Sequence, residues 1–195
     1  MPVNISIWAS GNGTNAEHLI QTFKNHPFIK IKMIVTNNPN AGVIQRVQKY
    51  KKTVHIIPKY ILYEKTDRVL ELLKEERIDM IVLAGFLLKV PKKMIQQYSN
   101  RIINIHPALL PKYGGKGFYG EKVHQAVINN KEKESGITIH YVHEEYDAGP
   151  IIMQVKCPVF ENDTPQLLAQ RIHQLEYKYF PIAVEQLAQQ IHQHG

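Results

Sequence analysis

Four short runs of β-branched and other apolar residues, separated by stretches with helical spacing, fill the first 85 residues, and this alternation constrains the fold most. Ile5-Ser6-Ile7-Trp8, Ile31-Lys32-Met33-Ile34-Val35, Val54-His55-Ile56-Ile57 and Met80-Ile81-Val82-Leu83 read as strands. Ala16 to Phe23, Val43 to Tyr50 and Lys65 to Glu75 carry their apolar residues at helical intervals. Parallel strands need crossover connections, usually helices, so the pattern predicts a doubly wound α/β sheet.

The alternation stops after Arg101-Ile102-Ile103-Asn104-Ile105-His106, a fifth strand, where a loop rich in Pro, Gly, Lys and Tyr leads to a short helix around Glu121 to Ile128. Ile137 to Val142 and Ile151 to Val155 flank Tyr146-Asp147-Ala148-Gly149-Pro150 and read as two strands joined by a turn. Thr164 and Pro165 are the N-cap and first residue of a long final helix, which Pro181 is expected to kink or restart. His192 to Gly195 is expected to fray. The fold class is therefore α/β: a doubly wound, Rossmann-like, mostly parallel sheet with crossover helices, an antiparallel addition near the C-terminus and a long final helix. At 195 residues the chain fits a single domain.

The one cysteine, Cys157, has no partner for an internal disulfide, and no leader-like segment opens the sequence, so a cytoplasmic protein is expected. No apolar stretch approaches the roughly 20 residues of a membrane helix. The net charge of +7 is uneven: between Glu17 and Glu64 there is no acidic residue but there are eight basic ones. Such a face attracts phosphates or nucleic acid, but with no accompanying motif it reads as a solvated basic surface.

Candidate functional residues cluster at predicted strand ends. Ser10-Gly11-Asn12-Gly13-Thr14-Asn15 joins the first strand to the first helix, where free N–H groups and the helix dipole favour an anion; an ordinary strand-to-helix turn is the plain alternative. Thr14 and Glu17 have the spacing of a capping box. Gly11, Gly13 and Ala16 also match a loose dinucleotide pattern, but the second strand ends in Thr36-Asn37-Asn38, without the acidic residue that an NAD ribose requires. Asn104 and His106, two apart on a strand, point to the same side, and Pro107 keeps His106 extended. Asp147 lies in a turn; beside an imidazole, its charge would raise the histidine pKa from about 6.5. Glu176 falls at the edge of the apolar face of the last helix and needs a partner, a lysine by frequency or the hydroxyls of a bound sugar. His140-x-x-His143 stands without the companions of a metal motif, and no metal site is expected.

Taken together, SGNGTN after the first strand, VLAGF at 82–86, NIHPALLPKY at 104–113 and YDAGPI at 146–151 resemble the folate-dependent formyltransferases, and within them the phosphoribosylglycinamide formyltransferase branch. The resemblance runs from about Ile5 to about Pro181. It implies that Gly13, Thr14 and Asn15 hold a substrate phosphate, with Gly11 and Asn12 shaping the loop, and that Glu176 binds the ribose hydroxyls. Leu87, Leu88, Lys89 and Val90 would line the folate pocket, largely through backbone groups, together with Asn104. Asn104, His106 and Asp147 would be the catalytic trio, with Asp147 keeping His106 charged near neutral pH. Residues 1–195 would form one formyltransferase domain, 1–100 its phosphate-binding half and 101–195 its catalytic and folate-binding half.

The implied reaction moves the formyl group of the co-substrate 10-formyltetrahydrofolate to the amine of phosphoribosyl-glycinamide in purine biosynthesis. The partners would then be these small-molecule substrates, with no nucleic acid or membrane involved. Two features depart from the family pattern: loop 114–120 is longer than in many relatives, and an arginine expected near residue 63 is missing. Two other readings fit parts of the sequence. One is formyl transfer to another amine, such as charged initiator tRNA, although the tRNA enzymes carry an extra C-terminal domain; the other is a non-enzymatic phosphate- or folate-binding module.

Overall fold

The computed structural model describes residues 1–194. Its seven strands are β1 (Val3–Trp8), β2 (Ile29–Thr36), β3 (Thr53–Ile56), β4 (Met80–Leu83), β5 (Ile102–His106), β6 (Glu134–Tyr141) and β7 (Ile151–Pro158). They form one sheet in the order β3-β2-β1-β4-β5-β6-β7. The first five run parallel, β6 pairs antiparallel with β5, and β7 pairs antiparallel with β6. The chain winds outward from β1 through β2 to β3, then crosses back to β4 and continues the other way. This reversal puts the topological switch point between the carboxyl ends of β1 and β4, where open α/β sheets bind their ligands.

Alternate strand residues serve two cores. Ile5, Ile7, Ile34, Val82 and Ile103 face helices α1 (Thr14–Thr22), α2 (Gly42–Gln48), α6 (Glu121–Asn129) and α7 (Pro165–His194). Trp8, Met33, Val35, Ile81 and Leu83 face α3 (Lys59–Glu64), α4 (Thr66–Glu75) and α5 (Lys92–Gln97). All four residues of β4 are buried, as a central parallel strand covered on both faces requires.

Several local expectations are refined. The predicted helix from Lys65 is α4, and a separate α3 precedes it. Thr164 caps α7 as expected, its hydroxyl accepting from the Leu167 N–H at 3.2 Å. Pro181 does not restart the helix, which runs unbroken from Pro165 to His194. The end expected to fray is helical through His194, and His192 Nδ1 donates to the Met1 carbonyl at 2.8 Å; Gly195 lies outside the described residues. The Thr14–Glu17 capping box does not form: Gly13 is the N-cap, in left-handed geometry with no side-chain cap. Glu17 instead binds Arg46 at 2.8 Å, Lys49 at 2.6 Å and the Tyr50 hydroxyl at 3.0 Å.

The basic half has internal uses. Arg46 and Lys49 neutralise Glu17, Lys32 stands 3.8 Å from Glu76, and Lys52 donates to the Ile31 carbonyl at 2.8 Å. Among the described residues, no helix is long and apolar enough to cross a membrane.

Candidate active site

The loops after β1 and β4 are tied together at the switch point. Ser10 N donates to the Gly85 carbonyl at 3.0 Å, and Leu87 N donates to the Ser10 hydroxyl at 2.9 Å. Gly13 turns the chain into α1 at φ 70, where a Cβ would run into the Val43 side chain; only glycine fits. The first turn of α1 therefore opens toward the switch point with N–H groups that no helical carbonyl can satisfy. Arg46 braces the loop from behind, donating through Nε to the Asn12 carbonyl at 2.6 Å. The Asn15 side chain does not face this turn; its amide donates to Glu176 Oε2 at 2.9 Å.

A cavity of about 650 Å³ runs from this loop to the end of β5. Gly11 to Asn15 line one part of it, Asn104, His106 and Asp147 another, and Glu176 and His173 its α7 wall. Glu176, buried at the edge of the core, is partnered by Asn15 and by His173 Nδ1 at 2.9 Å. The expected lysine partner is thus corrected, because α7 turns Glu176 toward α1 and its own previous turn. The bond to Glu176 raises the His173 pKa above the ordinary histidine value, against the effect of burial.

The structure brings Asn104, His106 and Asp147 together. Asp147, at φ 52 in its turn, accepts from Gly115 N at 2.9 Å through Oδ2, which also stands 3.5 Å from His106 Nδ1. The other ring nitrogen of His106, Nε2, donates to the Tyr113 carbonyl at 2.7 Å. A carbonyl can only accept, so neutral His106 carries its proton on Nε2, and a second proton at Nδ1 would face Asp147. The Asn104 amide donates to His140 Nε2 at 3.1 Å and, at a long 3.4 Å, to Asp147 Oδ1. His140 donates through Nδ1 to the Tyr141 carbonyl at 2.9 Å, which leaves its Nε2 as the acceptor for Asn104.

The expected charge on His106 needs correction. Burial pushes its pKa below the ordinary histidine value, and the pull of Asp147 in the other direction does not overcome it. Asp147 itself is held low: burial raises it, but His140, His106 and the Gly115 N–H together outweigh that effect.

Leu88, Lys89 and Val90 line a second, narrower crevice with Asn104, His140 and Tyr146, whereas Leu87 faces the large cavity. Both spaces share Phe86, Asn104, Tyr146 and Asp147, so a ligand in one touches the reacting end of the other. Tyr63, near the position of the missing arginine, donates its hydroxyl to the Lys89 carbonyl at 2.9 Å. From loop 114–120, Gly115 to Gly120 line the large cavity. Sequence reasoning weighed His140 only as half of a metal motif, and missed Tyr113, His124 and His173. For His140 the available signal was its place on a predicted strand, but its register opposite Asn104 is a property of the folded sheet. Among the described residues, no group of three or more His, Cys, Asp or Glu side chains is arranged to hold a metal ion.

The switch-point cavity has an anion-ready turn at one end and an Asn-His-Asp group at the other, and the chain belongs to the formyl transferase family, whose model matches residues 3–184. Over 191 residues it is 34% identical to the phosphoribosylglycinamide formyltransferase of Bacillus subtilis, covering 93% of each chain. It is 36% identical to the chloroplastic phosphoribosylglycinamide formyltransferase of Arabidopsis thaliana, covering 90% of this chain and 62% of the relative. The chain thus spans about three-fifths of the chloroplast relatives it matches. The crystal structure of phosphoribosylglycinamide formyltransferase from Anaplasma phagocytophilum superposes with a TM-score of 0.87 at 32% identity, over 97% of this chain and 88% of that one.

Proposed function

We propose that the chain transfers the formyl group of 10-formyltetrahydrofolate to the amine of N1-(5-phospho-D-ribosyl)glycinamide, giving formylglycinamide ribonucleotide and tetrahydrofolate in purine biosynthesis. The observation that carries this reading is one cavity lined by the anion-ready turn at 11–15, by Asn104, His106 and Asp147, and by the buried Glu176 carboxylate, which is bonded to Asn15 of the turn and acts electrostatically on His106. A phosphate, a ribose and an amine would be met by these groups in turn. The names of the relatives support the same substrate. Residues 1–195 then act as one formyltransferase domain, with the phosphate turn in the first hundred residues and the trio in the rest. Glu176 and the 87–90 segment make each ligand site draw on both halves.

In this reading the phosphate is held by backbone N–H groups of Gly13 to Asn15, and Glu176 accepts from ribose hydroxyls. The folate lies against Leu88, Lys89, Val90 and Asn104 and brings its formyl carbon to the trio. The neutral amine attacks that carbon, and as the new C–N bond forms the carbonyl electron pair moves to oxygen. The oxyanion accepts from the Asn104 hydrogen that is only loosely shared with Asp147, and from His106 once that ring has taken up a second proton. The amine then loses a proton, the folate nitrogen gains one, and its bond to the formyl carbon breaks. His106 carries that proton, directly or through water, and Asp147 steadies the imidazolium that exists meanwhile. No covalent enzyme intermediate enters.

The test is turnover. Purified chain mixed with both substrates is expected to produce tetrahydrofolate, followed by its absorbance, without ATP or formate. Turnover with a different amine would move the chain to another branch of the family; folate binding without turnover on any amine would make it a binding module.

A further inference from the structure

Among the described residues three side chains hold a fully buried polar atom without a hydrogen-bond partner: His55, His124 and Ser135. Of these, only His124 lines the large cavity. It sits on the buried face of α6, 3% exposed, with Nδ1 unpartnered and no hydrogen bond from either ring nitrogen. A core histidine normally spends its nitrogens on neighbouring carbonyls or carboxylates, as His106 and His140 do here. An imidazole left unsatisfied beside a cavity is instead kept for what enters that cavity.

The chemistry of the ring narrows the ligand. Burial, reinforced by His173, depresses the His124 pKa to about 4, so near neutral pH it carries no charge and is a poor match for phosphate. A neutral imidazole has one donor and one acceptor, which suits a hydroxyl. A half-turn about the Cβ–Cγ bond exchanges Nδ1 with Cδ2 and Nε2 with Cε1, so the ring can offer the cavity either nitrogen. Its electrostatic neighbours include Glu176 and His106, and all three line the same cavity. The part of the substrate that passes there is the sugar.

We propose that His124 is a specificity residue for the sugar of the phosphorylated substrate, hydrogen-bonding a ribose hydroxyl beside the carboxylate of Glu176. The assignment rests on the function proposed above. In chemical terms, Glu176 only accepts from hydroxyls, whereas His124 adds a donor that a carboxylate cannot supply. A hydroxyl bridging the two would donate to Glu176 and accept from His124.

The test is calorimetric binding, without folate, of N1-(5-phospho-D-ribosyl)glycinamide and its 2′-deoxy and 3′-deoxy analogues to the full chain. Parent binding is read first: its absence overturns the proposed substrate and this assignment with it, and its presence leaves only His124 on trial. The His124→Phe chain is expected to bind the ribosyl ligand about tenfold more weakly, yet to bind one of the deoxy analogues within about twofold of the parent. Equal losses on all three ligands, or none, would make His124 a packing residue and overturn the proposal. If the phenylalanine chain does not fold, His124→Gln carries the same comparison, with unequal losses supporting the assignment and equal losses refuting it.

Discussion

His18 donates through Nε2 to the carbonyl of Tyr177 at 2.8 Å, the carbonyl four residues before Pro181. A proline inside a helix has no N–H for that carbonyl and normally breaks or kinks the helix. Here a side chain from α1 takes the place of the missing donor, and the two rings also lie 4.9 Å apart. This explains how α7 continues past Pro181 to His194. Replacing His18 with alanine should cost about 1–2 kcal/mol in a denaturant titration, because the carbonyl loses its partner. In a Pro181→Ala background the helix supplies its own N–H, so the same replacement should cost clearly less. Equal costs in both backgrounds would show that His18 acts by packing alone.

Arg46 links the phosphate turn to Glu17, whose carboxyl Lys49 and Arg46 hold at about 2. Arg46→Met should free the Asn12 carbonyl and raise the KM for the phosphorylated substrate several-fold, leaving the KM for folate within error. A direct probe at Gly13 is less informative, since any side chain there strikes Val43 and strains a backbone at φ 70. Gly13→Ala is expected to destabilise the whole fold by about 1 kcal/mol or more, seen as a lowered Tm in a thermal melt. A Gly13→Ala chain with an unchanged Tm would contradict that packing.

His124 also predicts a pH dependence of stability. Its folded pKa, about 4, lies below the ordinary 6.5, so folding favours the uncharged ring. The stability it contributes is complete above about pH 6.5 and is lost as the pH falls toward 4, by about 3 kcal/mol at most. The charged and titratable groups that act on it are His173, Glu176, Glu121 and His106. Comparison of the parent with His124→Phe therefore isolates the effect: the difference in unfolding free energy should change steadily between pH 6.5 and 4. A difference independent of pH would mean that His124 is not held neutral.

Much of the fold was legible because its signals are local. The apolar runs of β1, β2 and β4 are buried on both faces, and Thr164-Pro165 marks the start of α7 within two residues. The missed helices α3 and α5 are six residues each, too short for periodicity to register, and each follows a proline, Pro58 and Pro91. The capping box failed because its spacing is local, whereas the competition for Glu17 comes from Arg46, Lys49 and Tyr50 on and just after α2. Asn104 and His106 could be paired from strand geometry. That Asp147 reaches both His106 and His140 depends on how β6 returns along β5, and that His124 and His173 meet beside Glu176 depends on α6 packing against α7; neither can be read along the chain.

The role of Asp147 can be measured at His106. In this geometry the ring is pulled two ways, below the ordinary histidine pKa by burial and upward by the carboxylate 3.5 Å from Nδ1. Asp147→Asn removes the charge and nearly preserves the shape, so burial loses its main opponent, and the Tyr113 carbonyl and Glu176 remain as weaker ones. The His106 pKa, followed by NMR titration of the imidazole, should fall further below its parent value. Each unit of that fall corresponds to about 1.4 kcal/mol lost from the imidazolium. Activity at neutral pH should drop, because the charged ring that passes through the reaction is harder to form. Some of it should return on acidification, limited by protonation of the attacking amine. Because Asn104 also donates to Asp147, and in the proposed reaction the three side chains act on the same atoms, combined substitutions should cost less than the sum of the single ones. An Asp147→Asn chain with an unchanged His106 pKa would reduce the aspartate to a turn residue that holds Gly115, and the proton would have to be managed without it.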